Sequence, residues 1–308
     1  MADLVCIGEP MLELNQQAAG PDGRQLFLQN HGGDTSNTAI AAARQGVRVA
    51  YLTAVGMDPA GDSFMDLWAS EGVDVSGVRR DAQAPTAIYL VHHGAAGHSF
   101  HYYRHGSAAS RFAPADLDRG LIRGAKILYA SGISQAISTT AADAVFEAIA
   151  LARDAGVQVA YDTNYRPRLW PARRAAAVIH AAIGMAQIAL PGLEDAGALT
   201  GLTDPDAVAD FYLRLGPPVV VLKMGAAGSL LATPAGRVRI PPFPCRSVDA
   251  TGAGDTFCGS FLARTIKGDA PEAAARYAAC AAALSTNGYG AVPPIPRAEA
   301  VRTALAGG

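Results

Sequence analysis

Short, nearly continuous apolar runs separated by alanine-rich stretches constrain this chain most. "AKILYASGI", "VQVAYDTN", "QIALPG" and "PVVVLKMG" place apolar residues at consecutive rather than alternate positions. A strand of that kind hides both of its faces, the condition of a parallel sheet covered by helices on either side. "DLVCIG" and "VRVAYLTAVG" also read as strands. Between these runs the spacing predicts helices over 139–155, 172–186 and 206–215. Alternating β and α elements imply an α/β fold: a mostly parallel central sheet with helices on both faces and right-handed crossovers. The chain has 308 residues, of which 50% are hydrophobic, enough for one large core. The expectation is a single domain over 1–308.

Two segments break the rhythm. "TAIYLVHHGAAGHSFHYYRHGSA" reads as a hairpin turning at "GAAG", and the polar stretch from Leu12 to Asn30 is interrupted by Gly and Pro. Neither suits a crossover helix. Both are expected in a small β appendage, a lid built from segments of about 12–31 and 86–106. The hairpin holds His92, His93, His98, His101 and His105. Adjacent His92 and His93 point to opposite faces of a strand, so packing or surface roles outweigh a metal site.

Formal net charge is −2, with no long basic run, which argues against a nucleic-acid partner and for a small molecule. No apolar run reaches membrane-spanning length. "MADLVCIGEP" does not read as a signal peptide, and the four cysteines are scattered without a C-x-x-C pair. A cytoplasmic protein with reduced thiols is expected.

"DATGAGDTFCG", from Asp249 to Gly259, carries the chemistry. A glycine-rich turn entering a helix leaves backbone N–H groups aimed outward as an anion nest, here Gly252, Ala253 and Gly254. Phe257 and Phe261 are spaced to share one buried helix face. Asp255 stands directly behind the nest, where a carboxylate would repel a bound anion. The conflict resolves if a substrate hydroxyl lies between them. Asp255 would take the hydroxyl proton while the nest stabilises charge on a transferring phosphoryl group. The plainer alternative is a glycine turn followed by an ordinary capping Asp. No G-x-x-x-x-G-K-[ST] string occurs, and "GAGDTF" lacks the third glycine of a dinucleotide fingerprint.

"DATGAGDTFCG" together with "GGDTSNTAIAAARQG" resembles the ribokinase (PfkB) family of sugar kinases, and the resemblance covers nearly the whole chain. "HGGDTSNTA", "YASGIS", "HYYR" and "DTNYRPRLW" are similar to its members acting on 2-keto-3-deoxygluconate. The resemblance implies a ribokinase-like fold with a β lid, ATP as phosphoryl donor, Mg²⁺, in some members a monovalent cation, and a homo-oligomer, expected as a lid-mediated dimer. Other sugars (fructose, ribose, a nucleoside, a related keto-acid) and a non-catalytic sensor remain as alternatives.

For the sugar, the glycines of "HGGDTSNTA" let a ligand approach the backbone, and Asp34 to Asn37 offer short polar groups. The alternative is a loop with a capping Asp. The resemblance favours Gly33 and Asn37 as sugar contacts. Tyr102 and Arg104 share one strand face, with Tyr89 on the partner strand. A ring and a guanidinium on a lid suit a carboxylated sugar, although an exposed strand with a solvated arginine is the default. Arg166, after a buried strand, is the second candidate for the acid or a phosphate; Arg168 and Trp170 are expected to pack structurally. For the nucleotide, the resemblance implies Lys223, Gly225 and Gly228 near the ATP phosphates and adenosine, with Asn164, Gly252, Gly254 and Asn287. One departure stands out. Many members carry Asn-x-x-Glu where this chain has "GLED", so Gly192 replaces the Asn and Asp195 stands at the acid. Asp195 is the metal candidate, through water.

Overall fold

The computed structural model describes residues 1–94 and 97–307. Ala95 and Ala96 of the expected "GAAG" turn, the His98 side chain and Gly308 lie outside the described residues. In chain order the strands are β1 (Leu4–Ile7), β2 (Met11–Gln16), β3 (Phe27–Gly32), β4 (Val49–Gly56), β5 (Val78–Asp81), β6 (Ala87–Gly94), β7 (Gly97–Tyr103), β8 (Ile127–Ser131), β9 (Gln158–Asp162), β10 (Ile188–Ala189), β11 (Val219–Lys223), β12 (Ser229–Thr233) and β13 (Gly236–Ile240). A nine-stranded sheet runs β13-β12-β11-β10-β9-β8-β1-β4-β5. It is parallel from β11 through β5, and antiparallel where β12 and β13 close its other edge.

The apolar runs explain this sheet. Every residue of β4 and β8 is buried, because helices cover both faces. On β1, Val5 and Ile7 face one apolar layer with Leu128, Val145 and Ile179, while Leu4 and Cys6 face the other with Tyr51, Trp68 and Phe261. The predicted helices form over Thr139–Asp154, Ala172–Ile183 and Pro205–Leu215. "AKILYASGI" stops being a strand at Ser131, whose hydroxyl accepts the Ser134 amide and starts a short helix. "QIALPG" yields only two strand residues; Pro191, just beyond, has no amide for a ladder.

The two segments that break the βα rhythm carry a separate four-stranded sheet, ordered β3-β2-β6-β7. β2 and β6 are parallel, and each pairs antiparallel with an outer strand. Burial alternates along β6, and Met11, Ala87, Tyr89 and Val91 form its small core.

Helices Asp34–Arg44 and Ala253–Ile266 pack against each other on one face of the central sheet, with Ile40 and Phe261 in the apolar layer of Leu4 and Cys6. The crossing is close at Gly259, where an added Cβ would stand 2.4 Å from the Thr38 carbonyl and 2.7 Å from the Ala41 Cβ. Gly259→Ala should therefore force the two helices apart. Chemical denaturation should show a loss of about 1–3 kcal/mol, the usual cost of overpacking. A variant as stable as the parent would show that the helices yield freely at this point.

Candidate active site

The site begins where those two helices start. Gly33, at the cap of the first, has φ 108°, and a Cβ there would stand 2.5 Å from the Glu9 carbonyl. Gly252, at the cap of the second, is left-handed with φ 75°. No side chain caps either helix, and at the second the Ala253 amide donates to the Ala250 carbonyl at 3.2 Å. Asn37 donates from Nδ2 to Asp255 Oδ2 at 2.8 Å, joining residues 218 apart in sequence. The Thr38 hydroxyl donates to the Asp255 carbonyl at 3.3 Å. Phe257 and Phe261 stack with centroids 6.4 Å apart on the buried face.

Asp255 is half-buried, and its proton affinity is pushed up to about 7. Burial is the main cause, and the Asp34 carboxylate adds to it. The Asn37 hydrogen bond pulls the other way; Asp162 raises the value and Lys223 lowers it.

Three strand ends supply the floor. Ser131 ends β8 and donates to Asp34 Oδ2 at 2.5 Å. Asn164, just after β9, donates from Nδ2 to the same oxygen at 2.8 Å. Asn164 has φ 28°, the one positive φ outside glycine among the described residues, and its amide donates to Asp162 Oδ1 at 3.2 Å. Asp34 is buried and its proton affinity is raised, chiefly by burial. Among the described residues, Asp34 Oδ1 and Asn37 Oδ1 are buried without a hydrogen-bond partner. Lys223 ends β11, and its Nζ donates to Asp162 Oδ2 at 2.5 Å. An added Cβ on exposed Gly254 would meet only that Nζ, at 3.8 Å, so the glycine leaves open space beside the ammonium.

The remaining candidates divide. Asp195 accepts from the Thr163 hydroxyl at 3.4 Å and lies 3.9 Å from Arg166 Nη1. Burial and Asp162 raise its proton affinity. No cluster of three or more His, Cys, Asp or Glu able to hold a metal occurs among the described residues. Gly225 is open on its Cβ side, whereas a Cβ on Gly228 would stand 2.2 Å from the Ile240 carbonyl, so the β12–β13 hairpin itself demands Gly228. Asn287 is exposed; its neighbour Thr286 accepts the Val248 and Asp249 amides through its carbonyl, at 2.7 and 3.1 Å.

On the four-stranded sheet, Tyr89 and Tyr102 stand opposite each other and stack at 5.7 Å. Arg104 lies 6.0 Å from the Tyr102 ring, but its Nη2 donates to Glu9, a fully buried carboxylate that also accepts from Ser107 at 2.7 Å. The expectation of a guanidinium free for an acid substrate thus meets an arginine already paired. Glu9, Glu13 (which accepts from Tyr89) and Asp162 escaped the sequence reading. Their signal was an acid inside or ending an apolar run, in "CIGEPMLEL" and "VQVAYD". Arg168 donates to the Phe100 carbonyl at 3.0 Å, and Trp170 is buried. His92 packs edge-on to Phe27 and His101.

Residues 1–298 match the pfkB family carbohydrate kinase. The chain belongs to that family. It is 35% identical to a 2-dehydro-3-deoxygluconokinase of Thermoproteus tenax, over 99% of this chain and 95% of the relative. It is 30% identical to fructokinase-2 of Solanum habrochaites, over 99% and 96%. A fructokinase of Xylella fastidiosa solved with bound ATP superposes with a TM-score of 0.91 at 26% identity, covering 100% of this chain and 99% of that one. The fold is ribokinase-like. Family membership sets the reaction class as phosphoryl transfer to a carbohydrate.

The raised proton affinity of Asp255 has a consequence for stability. Between the ordinary carboxylate value and about 7, the folded chain binds more protons than the unfolded one, so this group lowers stability as pH rises. Asp255→Asn removes the effect. Urea unfolding should show the variant gaining on the parent by about 1 kcal/mol between pH 5 and pH 8. Parallel stability curves would mean that the carboxylate is not held in a charge-averse setting.

Proposed function

We propose that this enzyme is an ATP-dependent 2-keto-3-deoxygluconate kinase (2-dehydro-3-deoxygluconokinase), with Asp255 as general base. The carrying observation is the Asn37–Asp255 hydrogen bond at two uncapped helix N-termini. It sets a carboxylate of raised proton affinity at the start of helix Ala253–Ile266. The substrate hydroxyl oxygen bonds to the γ-phosphorus of ATP while the bond to the ADP oxygen breaks, and the hydroxyl proton passes to Asp255. Amides of the Gly252–Gly254 turn take up charge on the phosphoryl oxygens. Gly33, Asp34 and Asn37 face the sugar, and the unpartnered oxygens of Asp34 and Asn37 suit sugar hydroxyls.

The phosphate side fits a triphosphate, because Gly254 leaves open space beside the Lys223 ammonium. Gly225, Gly228, Asn164 and Asn287 belong to the same side, Gly228 through the hairpin and Asn164 through Asp34. Mg²⁺ would neutralise phosphate charge. Asp195 and Thr163 offer it oxygen donors, as a hard cation requires, with nucleotide and water completing its shell. The four-stranded sheet acts as a lid on one kinase domain. Its exposed Leu26, Leu28, Tyr102 and Tyr103 suit a lid-mediated dimer. No helix among the described residues is long and apolar enough to cross a membrane. A cytoplasmic enzyme fits this reading.

The acid substrate rests on the relatives and on Arg104 and Arg166. A second reading, a kinase of a neutral sugar such as fructose, draws on the Glu9 carboxylate that already neutralises Arg104. Comparing sugars by ADP release separates the two readings. If 2-keto-3-deoxygluconate is the substrate, Arg104→Ala should reduce its kcat/KM about 10²-fold or more, and a neutral sugar much less. Equal losses, or a parent preference for fructose, would favour the neutral reading.

The base assignment has its own test. Asp255→Asn should lower kcat by about 10²–10⁴-fold in a folded protein. In the parent, kcat/KM for the sugar should fall about tenfold per pH unit below a value near 7, as the base of the free enzyme becomes protonated. Asn37→Ala removes a bond that favours the charged carboxylate, so that acid limb should move to higher pH. A limb that stays put, or moves down, would separate Asn37 from the base.

A further inference from the structure

We infer that Asp162 is a positioning residue for phosphoryl transfer, holding the Lys223 ammonium charged and aimed into the open space beside Gly254. The geometry is specific. Asp162 ends β9 and Lys223 ends β11, with β10 between them. Next-but-one strands lie about 10 Å apart, so only a long side chain spans the gap. Lys223 does so, bonding Asp162 Oδ2 at 2.5 Å and Cys258 Sγ at 3.4 Å. An ammonium has three donors. The third is left for the space where a Gly254 Cβ would come within 3.8 Å of Nζ.

Charge explains why a carboxylate is needed there. The Lys223 side chain is only 17% exposed and Asp162 only 2%. Burial alone would discharge a lysine. For Lys223 burial opposes the charge, but Asp162 more than offsets it and lifts the proton affinity above its ordinary value. The same carboxylate accepts from the Asn164 amide at 3.2 Å through its other oxygen, so it is fixed on both sides. Asp162 touches neither the sugar-side groups Gly33 and Asn37 nor the Asp255 carboxylate by any hydrogen bond among the described residues. Its partners are Lys223, Cys258 at 3.4 Å and the Asn164 amide, and of these only Lys223 carries a charge to offer a phosphate.

This inference rests on the reading that ATP phosphates lie at the start of helix Ala253–Ile266. The test uses the full chain, with ATP and the sugar that the parent turns over fastest. Asp162→Asn should raise KM for ATP about tenfold, the loss expected when a charge-assisted hydrogen bond is removed, and change KM for the sugar less than twofold. In a Lys223→Met background the same substitution should add less than twofold, because the lysine through which it acts is gone. An unchanged ATP KM, equal rises in both KM values, or full additivity with Lys223→Met would overturn the assignment. Where Asp162→Asn shows no cooperative thermal transition, Lys223→Gln decides: an ATP KM like the parent's overturns it, and a tenfold rise supports it. A parent that turns over sugar only with another phosphoryl donor would refute the ATP reading. Normal ATP use with an unmoved KM in Asp162→Asn refutes only this inference.

Discussion

The contact between the starts of helices Asp34–Arg44 and Ala253–Ile266 organises everything chemical in this molecule. One helix comes from near the N-terminus and the other from near the C-terminus, and the Asn37–Asp255 hydrogen bond spans 218 residues. The same two helices approach closely at Gly259, where there is no room for a methyl group. Packing therefore precedes chemistry. Glycine at 259 lets the helices approach, and glycines at 33 and 252 turn the chain into them. The large sheet beneath matters because it brings Ser131, Asp162 and Lys223 to the same end, the usual ligand side of an open parallel sheet.

That end carries more negative charge than a phosphate site would be expected to tolerate. Asp34, Asp162, Asp195 and Asp255 act on one another, and burial pushes the proton affinities of Asp34, Asp195 and Asp255 up. Lys223 and Arg166 lie among them. The excess has a use in phosphoryl transfer. Burial first and the neighbouring Asp34 carboxylate second push the proton affinity of Asp255 up to about 7, which would suit a base working near neutral pH. Phosphate oxygens still need donors. The proposed reaction would separate the two needs, with Lys223 and the start of helix Ala253–Ile266 serving the phosphates and the polar groups of helix Asp34–Arg44 serving the hydroxyl.

Legibility in the sequence follows the range of the interaction. The central strands were visible because burial on both faces leaves continuous apolar runs, a local signal. Tyr89 and Tyr102 were placed together because a short hairpin fixes register. Asp255 and the glycines stood out because backbone conformations closed to other residues leave glycine in the sequence. The antiparallel strands β12 and β13 did not stand out, since "SLLAT" and "GRVRI" are short and the second has arginine at two of its five positions. Glu9 and Asp162 were missed for another reason. Each is an ordinary acid until its cation is known, and those cations lie 95 and 61 residues away. Lys223 stood out only as a candidate for the ATP phosphates, without the carboxylate that holds it.

Arg104 shows how such a hidden partner alters a functional argument. An unpaired guanidinium on a lid strand would attract any anion, including the phosphates of the nucleotide, and so would discriminate poorly. With Glu9 on one edge, much of that long-range attraction is cancelled before a ligand arrives. What remains is directional: a planar donor with several N–H groups, beside the Tyr102 ring. A carboxylate placed to meet the free edge gains hydrogen bonds, whereas a badly placed anion meets the field of Glu9. Burial raises the proton affinity of Glu9 while Arg104 lowers it, so the carboxylate depends on the arginine for its charge. Removing Arg104 would thus change two charges at once. In the proposed enzyme an arginine paired in this way would act less as an anion trap than as a gauge of substrate shape, a property that would serve a carboxylated sugar and a hydroxyl-rich neutral one alike.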